Sequence, residues 1–293
     1  MEDVRHIIPI SGKDSLCTAI VQRNDAPEID YEYLFNPTGS ELPEVFGWLE
    51  NVEKYFGKKI SHVGVPLAGI IESNNYFLPS RMARYCTRQS KIEPMLEFVG
   101  DDEAEIYFGI RADEDRVGFK TLWSKNITCN YPLKKHGIGI NDVYRIINEN
   151  GLKPPVFFWH RLYDAVKSRI GFDPKTALSE WMFDALFAWR SRANCYHCFN
   201  QRQYEIVGLW ENYPELAEKA LWYESQGTSD GGYTWREKPF DWYKDNSAQI
   251  FEARVNKIAK TLLLARQLEL FSEDEDGIDA LFNATSCGLL CGK

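Results

Sequence analysis

The chain has 293 residues, 44% of them apolar and 26% charged, with a formal net charge of -9. That balance describes a globular protein with a sizeable core and excludes a disordered or fibrous polymer. It also argues against a general polyanion-binding surface, because nonspecific nucleic-acid affinity comes from lysine and arginine neutralising phosphates.

In chain order, the apolar run at 6–10 leads into SGKDS (11–15) and then a helix expected from 15 to about 21. EYLFNP (32–37) predicts a second strand, followed by a turn-rich stretch and an amphipathic helix with Val45, Leu49, Val52 and Phe56 on one face. SHVGVPL (61–67) and AEIYFGI (104–110) predict a third and a fourth strand. Strands alternating with helical pattern imply an α/β fold, a doubly wound, mainly parallel sheet with helices on both faces. From about residue 140 the pattern turns helical. NDVYRIINENG (141–151) has an asparagine N-cap and a terminal glycine, 160–192 continues the helical pattern, and 203–224 and 248–270 predict two long helices. Nine tryptophans, many between 159 and 242, are expected in a core or a subunit interface rather than stacked on bases.

No apolar run reaches the ~18 residues of a membrane-spanning helix, and MEDVRHIIPIS (1–11) has neither the basic start nor the apolar stretch of an export signal. A cytoplasmic location away from membranes is expected. There, seven cysteines form a reduced set, and close spacing among them points to metal or redox chemistry.

In parallel sheets of this kind, ligands lie at the carboxyl ends of the strands, which singles out the loops at 11–15, 37–41 and 109–116. A strand running through small residues into a helix leaves backbone N–H groups at the helix start, where the dipole also favours an anion. Gly12 permits close approach of a phosphate, Lys13 supplies charge and Ser15 a hydroxyl. The pattern is not the Walker loop, and a plain capped helix start is the alternative.

SGKDS resembles the phosphate loop, usually SGGKDS, of the N-type ATP pyrophosphatase superfamily. Further segments, in order, resemble its phosphoadenosine phosphosulfate (PAPS) reductase family: NPTGSELPE (36–44), RYCTRQSKIEPM (84–95), GIRADEDRVG (109–118), NYPLKKHGIGINDVYRIINENGLKPP (130–155) and NCYHCFNQRQYE (194–205). Two departures stand out. Ile10 and Ser11 replace the family's first Ser and Gly, and about 30 residues (160–192) precede the Cys-x-x-Cys, where the family has a short connection. The resemblance implies an adenine-nucleotide-binding domain over 1–155, a helical C-terminal lobe carrying the Cys-x-x-Cys over 156–271, and a flexible tail over 272–293. It implies that Ser11, Gly12, Lys13, Asp14, Ser15, Thr38, Gly39, Lys91, Arg111 and Arg116 hold the nucleotide and its sulfate or phosphates, with Arg88 and Arg202 as additions. Asp14 would hold Mg²⁺ if ATP is the ligand.

Cys195 and Cys198 can point thiolates at one metal, and thiolates select iron–sulfur clusters or zinc. By resemblance Cys86 joins them. Tyr85 replaces the neighbouring family cysteine, so the implied set is a three-cysteine [4Fe–4S] cluster with an open iron, or a site completed by His197, Cys129 or Cys17. Structural zinc is the runner-up, and inert buried thiols come third. SCGLLCG (286–292) resembles the family's C-terminal Glu-Cys-Gly-Leu-His, which makes Cys287 the candidate nucleophile. Ser286 and Leu290 replace its Glu and His.

Two enzymatic functions follow from the resemblance. One is a sulfonucleotide reductase that converts adenosine phosphosulfate (APS) or PAPS to sulfite through a cysteine thiolate, with a thioredoxin-like reductant. The other is an ATP-dependent sulfur-insertion enzyme like those of DNA phosphorothioation or transfer RNA thiolation. A non-catalytic nucleotide-sensing module is the third reading. The reductase is placed narrowly first, and nucleic acid as a partner and a homodimer stay open.

Overall fold

The computed structural model describes residues 4–116, 118, 125–192, 194–227 and 232–267. They divide into two compact units. The first draws its described residues from 1–74, 84–155 and 193–195, and the second from 75–83, 156–192 and 196–293.

The first unit carries β1 (Arg5–Pro9), α1 (Lys13–Asp25), β2 (Tyr31–Phe35), α2 (Pro43–Phe56), β3 (Ile60–His62) and α3 (Leu67–Ser73). These are followed by α4 (Tyr85–Thr87), a π-helical turn (Arg88–Ile92), α5 (Glu93–Val99), β4 (Ala104–Tyr107), β5 (Ile127–Asn130), α6 (Pro132–Lys135) and α7 (Ile140–Glu149). The strands form one parallel sheet in the order β3-β2-β1-β4-β5. Because successive side chains of a strand point to opposite faces, β1 splits its apolar residues between two cores. Ile8 packs with Leu16, Ile20, Val45, Leu49, Val52, Val143 and Ile147. Ile7 packs on the other face with Leu34, Met95, Val99, Ile106 and Ile127. Helices therefore cover both faces, and the α/β fold class read from the sequence is the one observed.

Several expected elements change. The first helix spans 13–25 rather than 15–21, and β5 was not expected at all. The helix after residue 139 is capped by Gly139, whose N–H donates to Asp142, so Asn141 lies inside the helix instead of at its cap.

The second unit carries β6 (Phe157–Phe158), α8 (His160–Ile170), α9 (Glu180–Phe187), β7 (Ala188–Arg190), α10 (Gln203–Asn212), α11 (Pro214–Ser225), α12 (Phe240–Asp245) and α13 (Ser247–Gln267). β6 and β7 pair antiparallel inside a stretch expected to be helical. The long helix expected over 203–224 is two, because Pro214 cannot donate into a continuing helix and starts α11 at its first position. Trp159, Trp189, Trp210 and Trp235 are buried, and the indole N–H groups of Trp159, Trp210 and Trp235 reach Glu211, the Phe240 carbonyl and the Ala220 carbonyl. Five of the eight described tryptophans, these four and Trp48, are thus core residues, with Trp222 exposed. Among the described residues no helix is long and apolar enough to cross a membrane.

Candidate functional site

The sheet order reverses between β1 and β4: the chain builds outward from β1 through β2 to β3, then crosses to β4 and β5. The carboxyl ends at such a reversal are splayed by diverging connections, and this is where doubly wound sheets take ligands. Two of the loops singled out in the sequence, after β1 and after β4, flank the reversal, and the third follows β2.

At the exit of β1, Gly12 is the N-cap of α1 in extended conformation, and a side chain there would meet open space. Ser15 folds back on the loop. Its hydroxyl donates to the Gly12 carbonyl (3.0 Å) and accepts the N–H groups of Ser11 (2.9 Å) and Gly12 (3.1 Å). A hydroxyl has one donor and two acceptor positions, so Ser15 is saturated and works as a staple that fixes the loop. The backbone donors left for an anion at this turn are those of the first helical residues, beginning at Lys13.

The β4 exit loop comes directly onto this turn. Gly109 lies so close that a Cβ on it would fall 2.6 Å from the Asp14 carbonyl carbon and from the Ser15 nitrogen. Two residues on, Arg111 Nη1 donates to Asp14 Oδ1 at 3.0 Å. The same guanidinium binds Asp113 through Nε at 2.8 Å and Glu114 at 2.9 Å. Arg111 is mostly buried. Burial alone would lower its pKa, but Asp14, Glu114 and Asp113 more than offset this and raise it, so the cation is permanent. Lys13 Nζ reaches the other oxygen of Asp14 at 3.3 Å, and Arg116 joins through Glu114 at 3.2 Å. Asp113 also accepts the Ile140 N–H at 3.3 Å and so ties the loop to the start of α7. The site is thus three cations (Lys13, Arg111, Arg116) interleaved with three carboxylates (Asp14, Asp113, Glu114).

The β2 exit loop is held from both sides. Thr38 is buried, with its N–H and hydroxyl both on Glu41 (2.9 and 2.6 Å). Its carbonyl accepts the Leu67 N–H at 2.7 Å. Gly39 follows in the left-handed region at φ 71°, which a residue with a Cβ adopts only with strain. The Asn36 amide bonds the carbonyls of Val63 (2.6 Å) and Lys91 (3.3 Å), which binds the π-helical turn carrying Lys91 to this edge. Such turns recur at functional sites. Cys195, contributed by the short 193–195 segment of the first unit, brings its sulfur to 3.1 Å from the Thr38 hydroxyl.

The structure therefore brings Ser11–Ser15, Arg111 and Arg116 into one connected group, and ties Thr38, Lys91 and Cys195 to the β2 loop. Cys86 lies in α4, and Cys198 belongs to the second unit. Among the described residues no group of three or more His, Cys, Asp or Glu side chains is placed to hold a metal ion. Cys17 is buried in the core, and burial, with Asp14 nearby, pushes its thiol up to about 12. Cys287 falls outside the described residues. Sequence reasoning passed over Gly109, Asp113, Glu114 and the Thr38–Cys195 contact. The first three lie inside the GIRADEDRVG stretch, where an acidic pair interleaved with arginines was the available signal.

No family model matches the chain. An uncharacterized protein of Methanocaldococcus jannaschii is 28% identical over 214 residues, covering 71% of this chain and 38% of that protein. The chain thus spans well under half the length of that relative. No solved structure matches.

Proposed function

We propose that the chain is an adenine-nucleotide enzyme that binds magnesium–ATP along the carboxyl edge of the first unit's sheet. In this reading the adenine lies toward Thr38 and Gly39, and the phosphates lie at the first turn of α1. The observation that carries it is the set of three carboxylates sharing Arg111 at the strand reversal. A metal-free sulfonucleotide would bring a dianion to a place where each cation already faces a carboxylate. ATP arriving with magnesium matches the hard oxygen donor of Asp14, and the metal supplies neutralisation of the phosphate charge. Lys13 and the first-turn amides hold the phosphate chain and stabilise charge as it develops. The step is attack by an acceptor oxygen on the α-phosphorus: a P–O bond forms, the α–β bridge breaks, and pyrophosphate leaves. The resulting adenylate is open to a sulfur nucleophile that displaces AMP.

A second reading is favoured by one contact, the Cys195 sulfur beside Thr38, which sets a thiol at the same edge. Here a thiolate attacks the sulfur of adenosine phosphosulfate, an S–S bond forms, the S–O bond breaks and AMP departs. A thioredoxin-like dithiol then releases sulfite and is itself oxidised to the disulfide.

Calorimetric titration separates the two. Magnesium–ATP is expected to bind, and Lys13→Ala to weaken it by about tenfold or more, the equivalent of ~1.4 kcal/mol. Adenosine phosphosulfate binding in the absence of ATP binding selects the second reading, and failure of both ligands overturns the nucleotide assignment.

A further inference from the structure

The second unit holds cations that the first unit's site does not use. Arg254, in α13, is 5% exposed. Its Nη2 donates to the Leu186 carbonyl at the end of α9 (2.9 Å), and its guanidinium lies 4.3 Å from the centroid of the Tyr204 ring. Its Nε is buried with no hydrogen-bond partner. From the other side, Arg202 Nη1 donates to the Tyr204 hydroxyl at 2.6 Å. One buried tyrosine at the start of α10 thereby seats two guanidinium groups, one over its face and one on its oxygen.

Lys257 is the third member, three residues beyond Arg254 on α13 and exposed. Burial of its stem, then Arg254 and Arg202, hold its ammonium pKa below the ordinary value. Burial first, and Arg202 as well, lower that of Arg254, against Tyr204 and Glu205, which raise it. Glu252, the carboxylate nearest in sequence to Arg254, pairs with Arg169 at 2.7 Å, and Glu205 accepts the N–H and hydroxyl of Ser191 (2.8 and 2.6 Å) and the N–H of Arg202 (2.7 Å). A buried arginine is expensive unless something balances its charge. Here its hydrogen bond goes to a neutral carbonyl and its Nε has none, so the attraction of Glu205 is opposed by burial and by Arg202.

We propose that Arg202, Arg254 and Lys257 form a binding site for a tetrahedral oxyanion, a phosphate or sulfate group either free or carried as an ester, with Tyr204 as the platform that positions both arginines. Guanidinium forks suit such oxygens through paired donors, and the exposed lysine, one helical turn from Arg254, adds a point charge. All of its residues belong to the second unit, and the nucleotide reading above assigns a role to none of them.

The test reads Lys257 itself. The whole protein is acylated with a water-soluble amine reagent in chloride, inorganic phosphate or glycerol phosphate at matched ionic strength, and modification is followed peptide by peptide. With the anion at about ten times its dissociation constant, Lys257 acylation is expected to slow by about tenfold, while Lys244 and Lys260 are unaffected. Protection by inorganic phosphate assigns a free ion, and protection by glycerol phosphate alone assigns an ester. Arg202→Gln, which keeps the backbone bond to Glu205, is expected to abolish the protection. Equal labelling in all three salts, or protection that survives Arg202→Gln in folded protein, would overturn the proposal.

Discussion

Replacing Gly109 with alanine tests whether the contact between the β4 loop and the first turn of α1 builds the site. The added Cβ would lie 2.6 Å from two backbone atoms of the Asp14–Ser15 peptide and 2.7 Å from the Asp14 oxygen, where ordinary contact begins at 3.4 Å. The deficit, about 0.8 Å, cannot be met by a side-chain rotation because every atom involved is backbone. The loop must back away, at the ~1–3 kcal/mol typical of overpacking, and Arg111 retreats from Asp14 with it. Displacements near 1 Å in a binding constellation cost up to ~100-fold in function. Urea unfolding should show the destabilisation, and titration with magnesium–ATP should show a loss of at least about tenfold. Gly47→Ala is the control, since its Cβ meets nothing within 4 Å and it sits inside α2. The same chemical change there should stabilise by up to ~1 kcal/mol. Gly109→Ala protein that unfolds and binds nucleotide like wild type would refute the claim that this close approach positions Arg111.

Gly12→Val places a branched side chain in open space at extended backbone but exchanges a favoured N-cap for a poor one, so stability should fall by no more than about 1 kcal/mol while calorimetric nucleotide binding is lost; retained binding would remove this turn from the site. Glu224, buried in the second unit with the N–H groups of Trp235 and Phe240 on its two oxygens (2.9 Å each), is pushed up to about 7 by burial, against 4.5 unperturbed. A carboxyl raised in the folded state favours folding most at low pH, so stability should fall by ~3 kcal/mol between about pH 4.5 and pH 7, and urea midpoints of Glu224→Gln should lack that slope. Cys17, with its thiol near 12, should resist iodoacetamide in the folded protein while reacting in urea, and mass spectrometry of the labelled peptide checks this.

The strands of the first unit were legible because each is a short apolar run bounded by turn residues. β5 was not: only Ile127 of its four residues is buried, so it carries no alternating pattern to detect. The β6–β7 pair was hidden for a related reason. Two and three residues of strand cannot outweigh the helical periodicity of α8 and α9 between them. The loop at 11–15 could be found as a helix start, but the use of Ser15 as a staple could not, since a serine at that position caps or binds with equal ease until its hydroxyl is placed. Likewise the sequence supplied Arg111 as a cation without showing that three carboxylates would share it, because charge pairing across 97 residues, as between Asp14 and Arg111, depends on the strand order.

That shared guanidinium makes the choice of nucleotide a question of sign. Asp14→Asn keeps an oxygen that can accept from Arg111 and the same side-chain volume, so the loop's geometry is preserved while one negative charge is removed. If the carboxylate serves a magnesium-bound triphosphate, its loss deletes a hard oxygen donor and ATP affinity should drop by about tenfold or more. If the ligand is a metal-free sulfonucleotide, the same change releases Arg111 and Lys13 from a competing anion, and affinity for adenosine phosphosulfate should rise. Calorimetry with both ligands on one variant therefore gives opposite directions for the two chemistries. A parallel fall in both would mean that Asp14 only holds the turn in place, and the argument from charge balance for magnesium–ATP would fail with it.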